Sequence, residues 1–242
     1  MVPKEVIRMA ERLAGERAVG GLRLLVRMAL LPLQAQAAFL WTEQGKNLPG
    51  HLKDAIPEDA TPEDATPVEV KGPPHCLENA IPAEVMRALE ERGARPLYLE
   101  PVRDGETPFL LDLGRHPAVS FPWNPDRVAW TLAWIGEQEW RYDPLNHRAH
   151  FYRPLGVAFF HNGLHSGMAG ILKREGRLPA TEVDLAPLYA AGLRVEWRTE
   201  GLFRGEERPF AVLGAVARPM EHPHHALLLA LGEVLHRHGV SL

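Results

Sequence analysis

The sequence predicts an α+β fold, a mainly antiparallel or mixed sheet with flanking helices, preceded by an N-terminal helical arm. Three observations carry this expectation. Two helical runs open the chain, short strands joined by hairpin-type turns alternate with helices further on, and no regular strand-helix-strand spacing marks a doubly wound sheet. With 242 residues, 45% of them hydrophobic, the chain is long enough to bury a core without covalent staples. Its single cysteine, Cys76, excludes an intrachain disulfide and a cysteine-rich zinc module, and points to a reducing compartment.

Residues 3 to 18 place Val6, Met9, Ala10 and Leu13 at helical spacing, and Gly20-Gly21 interrupts the run before a second helix that reaches about Trp41. We assign residues 1–45 to a helical arm. Residues 46–75 hold Pro-Glu-Asp-Ala-Thr twice, at 57–61 and 62–66, with few large apolar side chains, and read as an acidic, proline-rich linker. Residues 76–242 then form the α+β domain.

Within that domain, Pro82 to Glu91 reads as a helix closed by Gly93. Strands are expected at Leu97–Glu100 and Phe109–Leu113, around the turn Arg103-Asp104-Gly105. Asn124-Pro125-Asp126 supplies a cap, a first-turn proline and an acidic start for a helix that runs to Ile135 and stops at Gly136. Trp130 and Trp134 lie four apart on it, and its apolar character on nearly every face predicts core packing for both. Glu139–Tyr142 and His147–Tyr152 flank Asp143-Pro144-Leu145-Asn146, a type I turn, and predict a hairpin. Further strands are expected at Leu155–Phe160, Leu193–Arg198 and Phe210–Val216, and a last helix at Ala226–His238 before Gly239.

A net charge of −4 offers nucleic-acid phosphates no global attraction, so nucleic acid is disfavoured as a partner. The most apolar stretch, Leu22–Trp41, is interrupted by Arg23, Arg27, Pro32, Gln34 and Gln36, which marks a buried helix rather than a membrane span. No basic leader followed by an apolar run opens the chain, and a cytoplasmic location is expected. Scarce amides, frequent proline and a preference for arginine over lysine resemble thermophile usage, although a GC-rich genome favours the same residues.

Candidate chemistry centres on His161-Asn162-Gly163-Leu164-His165-Ser166. The apolar run Val157-Ala158-Phe159-Phe160 delivers this segment from a buried strand, and a helix follows from Ser166 to about Gly176. Gly163 permits the positive φ of a sharp turn. The first N–H groups of the helix, with Ser166 and Gly167, then form a cradle for a small anionic ligand, to which Asn162 can contribute. His161 and His165 flank the cradle as acid, base or donor, and Asp143 and His147 can reach it from the preceding turn. The same residues also fit a type I′ hairpin turn followed by an ordinary serine N-cap. The glycine spacing from Gly163 through Gly167 to Gly170 matches neither the dinucleotide fingerprint nor the P-loop.

The set Phe121-Pro122-Trp123 with Arg127, then Tyr142-Asp143-Pro144-Leu145-Asn146-His147, then Pro154-Leu155-Gly156 and Asn162-Gly163-Leu164-His165-Ser166 with Ala169-Gly170-Ile171, resembles an uncharacterised bacterial family of unknown function over about residues 117–205. Leu164 stands where the members of that family carry asparagine. The family implies no activity. Gly163-Leu164-His165 is also distantly similar to the phosphate-holding segment of ParB-like and sulfiredoxin-like domains. Ser166 replaces their arginine and cannot make its charged bidentate contact.

Among the twelve histidines, those at 222, 224 and 225 precede the last helix and those at 236 and 238 end it. Eleven helical residues separate His225 from His236 by about 16 Å, so these two cannot share an ion. No His-Glu-x-x-His pattern occurs, and no activating context marks Cys76 as a nucleophile. The leading expectation is therefore a small-ligand or phosphate-binding protein, open to hydrolytic or transfer chemistry, with its site at residues 161–166. Two alternatives stand beside it: a metal-dependent hydrolase with Asp143, His147, His161 and His165 as ligands, and a non-catalytic assembly or adaptor protein. The sequence names no cofactor and leaves self-association open.

Overall fold

A computed structural model describes residues 3–45, 74–99, 109–122, 125–200 and 206–242. Residues 46–73 of the linker 46–75, the turn 103–105 and the expected cap Asn124 lie outside the described residues. The chain opens with α1 (Pro3–Gly15) and α2 (Val19–Gly45). A 3₁₀ turn (Leu77–Ala80) leads to α3 (Ala83–Glu91), followed by β1 (Leu97–Leu99), β2 (Leu110–Asp112), β3 (Ala118–Val119) and α4 (Pro125–Gly136). Next come β4 (Arg148–Arg153), β5 (Val157–Asn162), α5 (Leu164–Lys173), β6 (Arg177–Pro179), β7 (Thr181–Asp184) and α6 (Ala186–Ala190). The chain ends with β8 (Arg194–Glu200), β9 (Glu206–Leu213), β10 (Val216–Pro219) and α7 (Pro223–Arg237).

The expected α+β class is what forms. Five strands make a mixed sheet in the order β1-β7-β4-β5-β3, while β10-β9-β8 and β2-β6 are antiparallel. In the mixed sheet β4 pairs antiparallel with β5 and parallel with β7, and β3 runs parallel to β5. The period of two along β4 and β5 divides the core. Tyr152, Val157 and Phe159 join the large core with α1, α2, α3 and α7, whereas Ala149, Phe151, Ala158 and Phe160 join a smaller one under Trp140 and α5.

Helix α2 buries Leu22, Leu25, Val26, Ala29, Leu30, Leu33 and Ala37 along one face, the three-and-four spacing of an amphipathic helix. Its other face leaves Leu24, Met28 and Leu31 exposed. Among the described residues no helix is long and apolar enough to cross a membrane. Helices α1 and α2 both pack on α7, so the N-terminal helices share the large core with it.

Several expectations are corrected. Glu139–Tyr142 form no strand, because Trp140 is committed elsewhere: its backbone N–H donates to Glu175 Oε1 at 2.8 Å and its indole N–H to the Ser166 carbonyl at 2.7 Å. The strands on either side of residues 103–105 do not pair with each other, since β1 lies against β7 and β2 against β6. The run Phe210–Val216 folds back at Gly214-Ala215 to give β9 and β10. Trp130 and Trp134 are not core residues. They are 56% and 55% exposed and stack on each other at 5.6 Å, so the apolar composition of α4 does not bury them.

Candidate metal centre

The junction folds as a direct passage from β5 into α5, with the helix starting at Leu164, not at Ser166, and with no hairpin turn. Gly163 is the N-cap, at φ +67°, and a Cβ there would lie 2.5 Å from His147 Cδ2. Only glycine lets the junction close so tightly on the turn before β4. In that turn the Asp143 carboxylate accepts the Leu145 N–H at 2.9 Å, and the Asp143 N–H donates to His147 Nδ1 at 2.9 Å. With Nδ1 accepting, Nε2 carries the proton and donates to Ser166 Oγ at 2.6 Å, and Ser166 donates to the Gly163 carbonyl at 3.1 Å. His147 is buried and stacks on Trp140 at 4.6 Å, and this burial lowers its pKa against the raising influence of Asp143.

His147, Gly163 and Ser166 therefore meet, and Asp143 joins them through its backbone N–H. In this tautomer His147 gives a hydrogen bond to the serine rather than taking its proton, and the group fastens the turn to α5. Gly167 packs on Phe160, where a Cβ would lie 2.7 Å from the ring. Asn162 is exposed, and His165 is half-buried in the first turn of α5. His161 sits apart from this group, because it shares the strand face of Phe159 and points with the large core.

On that opposite face a second cluster assembles from distant parts of the chain. Cys76 precedes the 3₁₀ turn, Glu78 lies in it, and His150 is on β4, two residues before Tyr152 and hence on the same face. Their potential ligand atoms all lie within 4.8 Å of one another. Cys76 Sγ is 3.6 Å and Glu78 Oε1 is 3.8 Å from His150 Nδ1. Glu78 is 7% exposed, and two phenols satisfy its carboxylate: Tyr152 donates to Oε2 at 2.5 Å and Tyr98 to Oε1 at 2.7 Å. The Tyr152 oxygen in turn accepts the Leu77 N–H at 3.0 Å, which ties the 3₁₀ turn to β4. The His161 ring lies 4.3 Å from that of His150.

Burial, and then the charge of Glu78, pushes the Cys76 thiol up to about 11, so the free thiol is protonated at neutral pH and is no activated nucleophile. Burial lowers the pKa of His150, and burial first, then repulsion from Arg148 and from His150 were it protonated, lowers that of His161 to about 4. Both imidazoles are consequently neutral at pH 7, with a lone pair to offer. Such a donor set, one thiol, one carboxylate and one imidazole, suits a borderline-soft divalent ion.

A family described only as a family of unknown function, DUF6710, matches residues 4–200. The chain belongs to this family. No curated protein and no solved structure matches it. The DUF6710 match begins far upstream of the motifs that suggest a family in the sequence, and it takes in α1, α2, the 3₁₀ turn and every member of both clusters. Strands β9 and β10 and helix α7 lie beyond it.

Sequence reasoning singled out neither Glu78 nor His150 and set Cys76 aside as a nucleophile. The one local signal was the alternation Arg148, His150, Tyr152, which puts polar groups on one face of a strand. The partners lie some 70 residues upstream, and only tertiary contact joins them.

Proposed function

We propose that this DUF6710 protein binds a divalent transition metal, zinc or ferrous iron, through Cys76, Glu78 and His150, and uses it in metal-dependent hydrolysis. The observation that carries the reading is the spacing of the three ligand atoms. In a tetrahedral zinc site a thiolate sulfur and an imidazole nitrogen lie about 3.5 Å apart, and an imidazole nitrogen and a carboxylate oxygen about 3.3 Å. The two separations from His150, 3.6 and 3.8 Å, lie close to these values, and the Cys76 and Glu78 ligand atoms are within 4.8 Å of each other.

A metal held by three protein groups supplies a Lewis-acidic centre with a position left open. Tyr98 and Tyr152 orient Glu78, in the manner of the outer partners that hold a ligating carboxylate. His161 stands beside His150 with its ring 4.3 Å away and lines the same cluster. The test is the metal content of the purified protein, followed by zinc titration of the metal-free form. About one equivalent of tightly held metal, lost in both Cys76→Ser and His150→Ala, is the expected result. Wild-type protein that retains no metal, and takes none up on titration, would remove the reading.

A second reading places a small anion at the start of α5. Its support is that the N-cap, Gly163, is a glycine at positive φ and gives the start of that helix no side-chain cap. Inorganic phosphate should then raise the melting temperature of the protein. An unchanged melting curve in millimolar phosphate sets this reading aside.

A further inference from the structure

We infer that the groove between α2 and α5 binds a single-chain amphiphile with an anionic head, the head resting on Arg27, Arg115 and Arg174 and the chain lying over Leu31, Met168 and Leu172. The groove encloses about 470 Å³, within the usual range for small-molecule sites of about 300–1,000 Å³. Leu31 and Leu172, on its two walls, are 58% and 59% exposed, an apolar surface left open among the described residues.

One edge of the groove gathers positive charge. The turn Gly114-Arg115 is its focus: Arg27 donates through Nη2 to the Arg115 carbonyl, and Arg174 through Nη2 to the Gly114 carbonyl at 3.2 Å. The turn packs so closely on the end of α5 that a Cβ on Gly114 would lie 2.8 Å from the Arg174 carbonyl oxygen. Two guanidinium groups, those of Arg27 and Arg174, thus bond to one short turn that itself carries Arg115, and each keeps donors to spare. Among the described residues that line the groove none is a carboxylate. Asp112, beside the groove, is 4.0 Å from Arg115 and is engaged with Arg177 at 3.1 Å. A planar carboxylate or a phosphate is the group that guanidiniums lining one edge of a groove bind with directed hydrogen bonds. His116, on the same edge, carries a pKa lowered by burial first, against the raising influence of Asp112, with the positive charge of Arg115 and Arg27 adding to the lowering.

An apolar floor with a cationic edge selects an amphiphile over a free anion, and an anionic head over a cationic one. This inference is independent of the metal centre, whose residues do not line the groove.

Isothermal titration of the full chain with dodecanoate tests it, with dodecyltrimethylammonium, inorganic phosphate and phosphatidylglycerol vesicles as the other arms. Saturable binding of dodecanoate near one equivalent is expected, with at least tenfold weaker binding of the cationic amphiphile and of phosphate. The double variant Arg27→Gln and Arg174→Gln should weaken dodecanoate at least tenfold. Leu172→Asp, at an exposed position where folding is not at risk, should do the same. Equal binding of both amphiphiles, unchanged binding by the variants, or binding to vesicles alone would overturn the inference. Variants in Cys76 and His150 should leave dodecanoate binding intact.

Discussion

The sulfur of Cys76 lies 3.6 Å from Nδ1 of His150, with the carboxylate of Glu78 3.8 Å from the same nitrogen. The Tyr152 and Tyr98 hydroxyls donate to the buried carboxylate, so hydrogen bonds hold the three groups together. Their arrangement differs from a cysteine-histidine nucleophile pair, in which the acid would occupy the other ring nitrogen.

Metal uptake should release protons. The Cys76 thiol titrates at about 11 and must lose its proton to ligate, whereas His150, with its lowered pKa, is already neutral at pH 7. Zinc affinity should therefore rise by up to about tenfold per pH unit between pH 6 and 8, with close to one proton released per ion. Calorimetry in buffers of different ionisation enthalpy measures that number. Cys76→Ser should abolish both the proton release and the sulfur-to-metal absorption band of the cobalt form.

Tyr152→Phe removes a donor to Glu78 and leaves the Leu77 N–H without its acceptor. A loss of about 1–3 kcal/mol in stability follows from a buried polar group left unmade. Tyr98→Phe should cost less, because the Tyr98 side chain is 46% exposed and water can replace its bond. Urea denaturation of the two variants side by side measures the difference, and equal losses would contradict the geometry.

Ser166→Ala leaves the Nε2–H of buried His147 unsatisfied and should destabilise the protein by about 1–3 kcal/mol. Gly163→Ala should do so too, since it forces a Cβ into positive φ and against His147. If His147 and Ser166 only fasten the turn, metal affinity should survive in Ser166→Ala. A loss of activity with unchanged stability would instead point to chemistry at the serine.

Stability should fall with acid between pH 6.5 and about 4. His225 is fully buried, its Nε2–H donates to the Pro74 carbonyl at 3.1 Å, and burial lowers its pKa to about 4. The unfolded chain binds a proton below its ordinary value of about 6.5 while the folded chain does not. The contribution is therefore complete above pH 6.5 and is lost as pH drops to 4, on the order of 3 kcal/mol for this one residue. His161, half-buried and lowered in the same direction, adds a smaller share. Denaturation midpoints from pH 7 to 4 should show the slope, and His225→Asn should flatten it.

The physics of short range accounts for what could be read in advance. Helical spacing marks α2, the proline and glycine signals mark α3 and the end of α4, and the apolar run before Gly163 marks β5, because each depends on residues a few positions apart. The strand that ends in a glycine and opens a helix was legible for the same reason. The fate of Trp140 was not. Its alternating neighbours resemble a strand, but a bond to Glu175, 35 residues on, claims the N–H that pairing would need. Trp130 and Trp134 show the same limit from the other side, since composition carries no information about which face of a helix receives a neighbour.

The sequence by itself determined the α+β class, most helices, the strand β5 and the glycine junction into α5, all products of local periodicity and turn chemistry. Tertiary structure alone decided that His161 points away from Ser166, and that His150 meets Cys76 and Glu78 across 74 and 72 positions of chain. The parity of β5 puts His161 on the face opposite Phe160 and α5, and the docking of the 3₁₀ turn onto β4 brings the thiol and the carboxylate to that face.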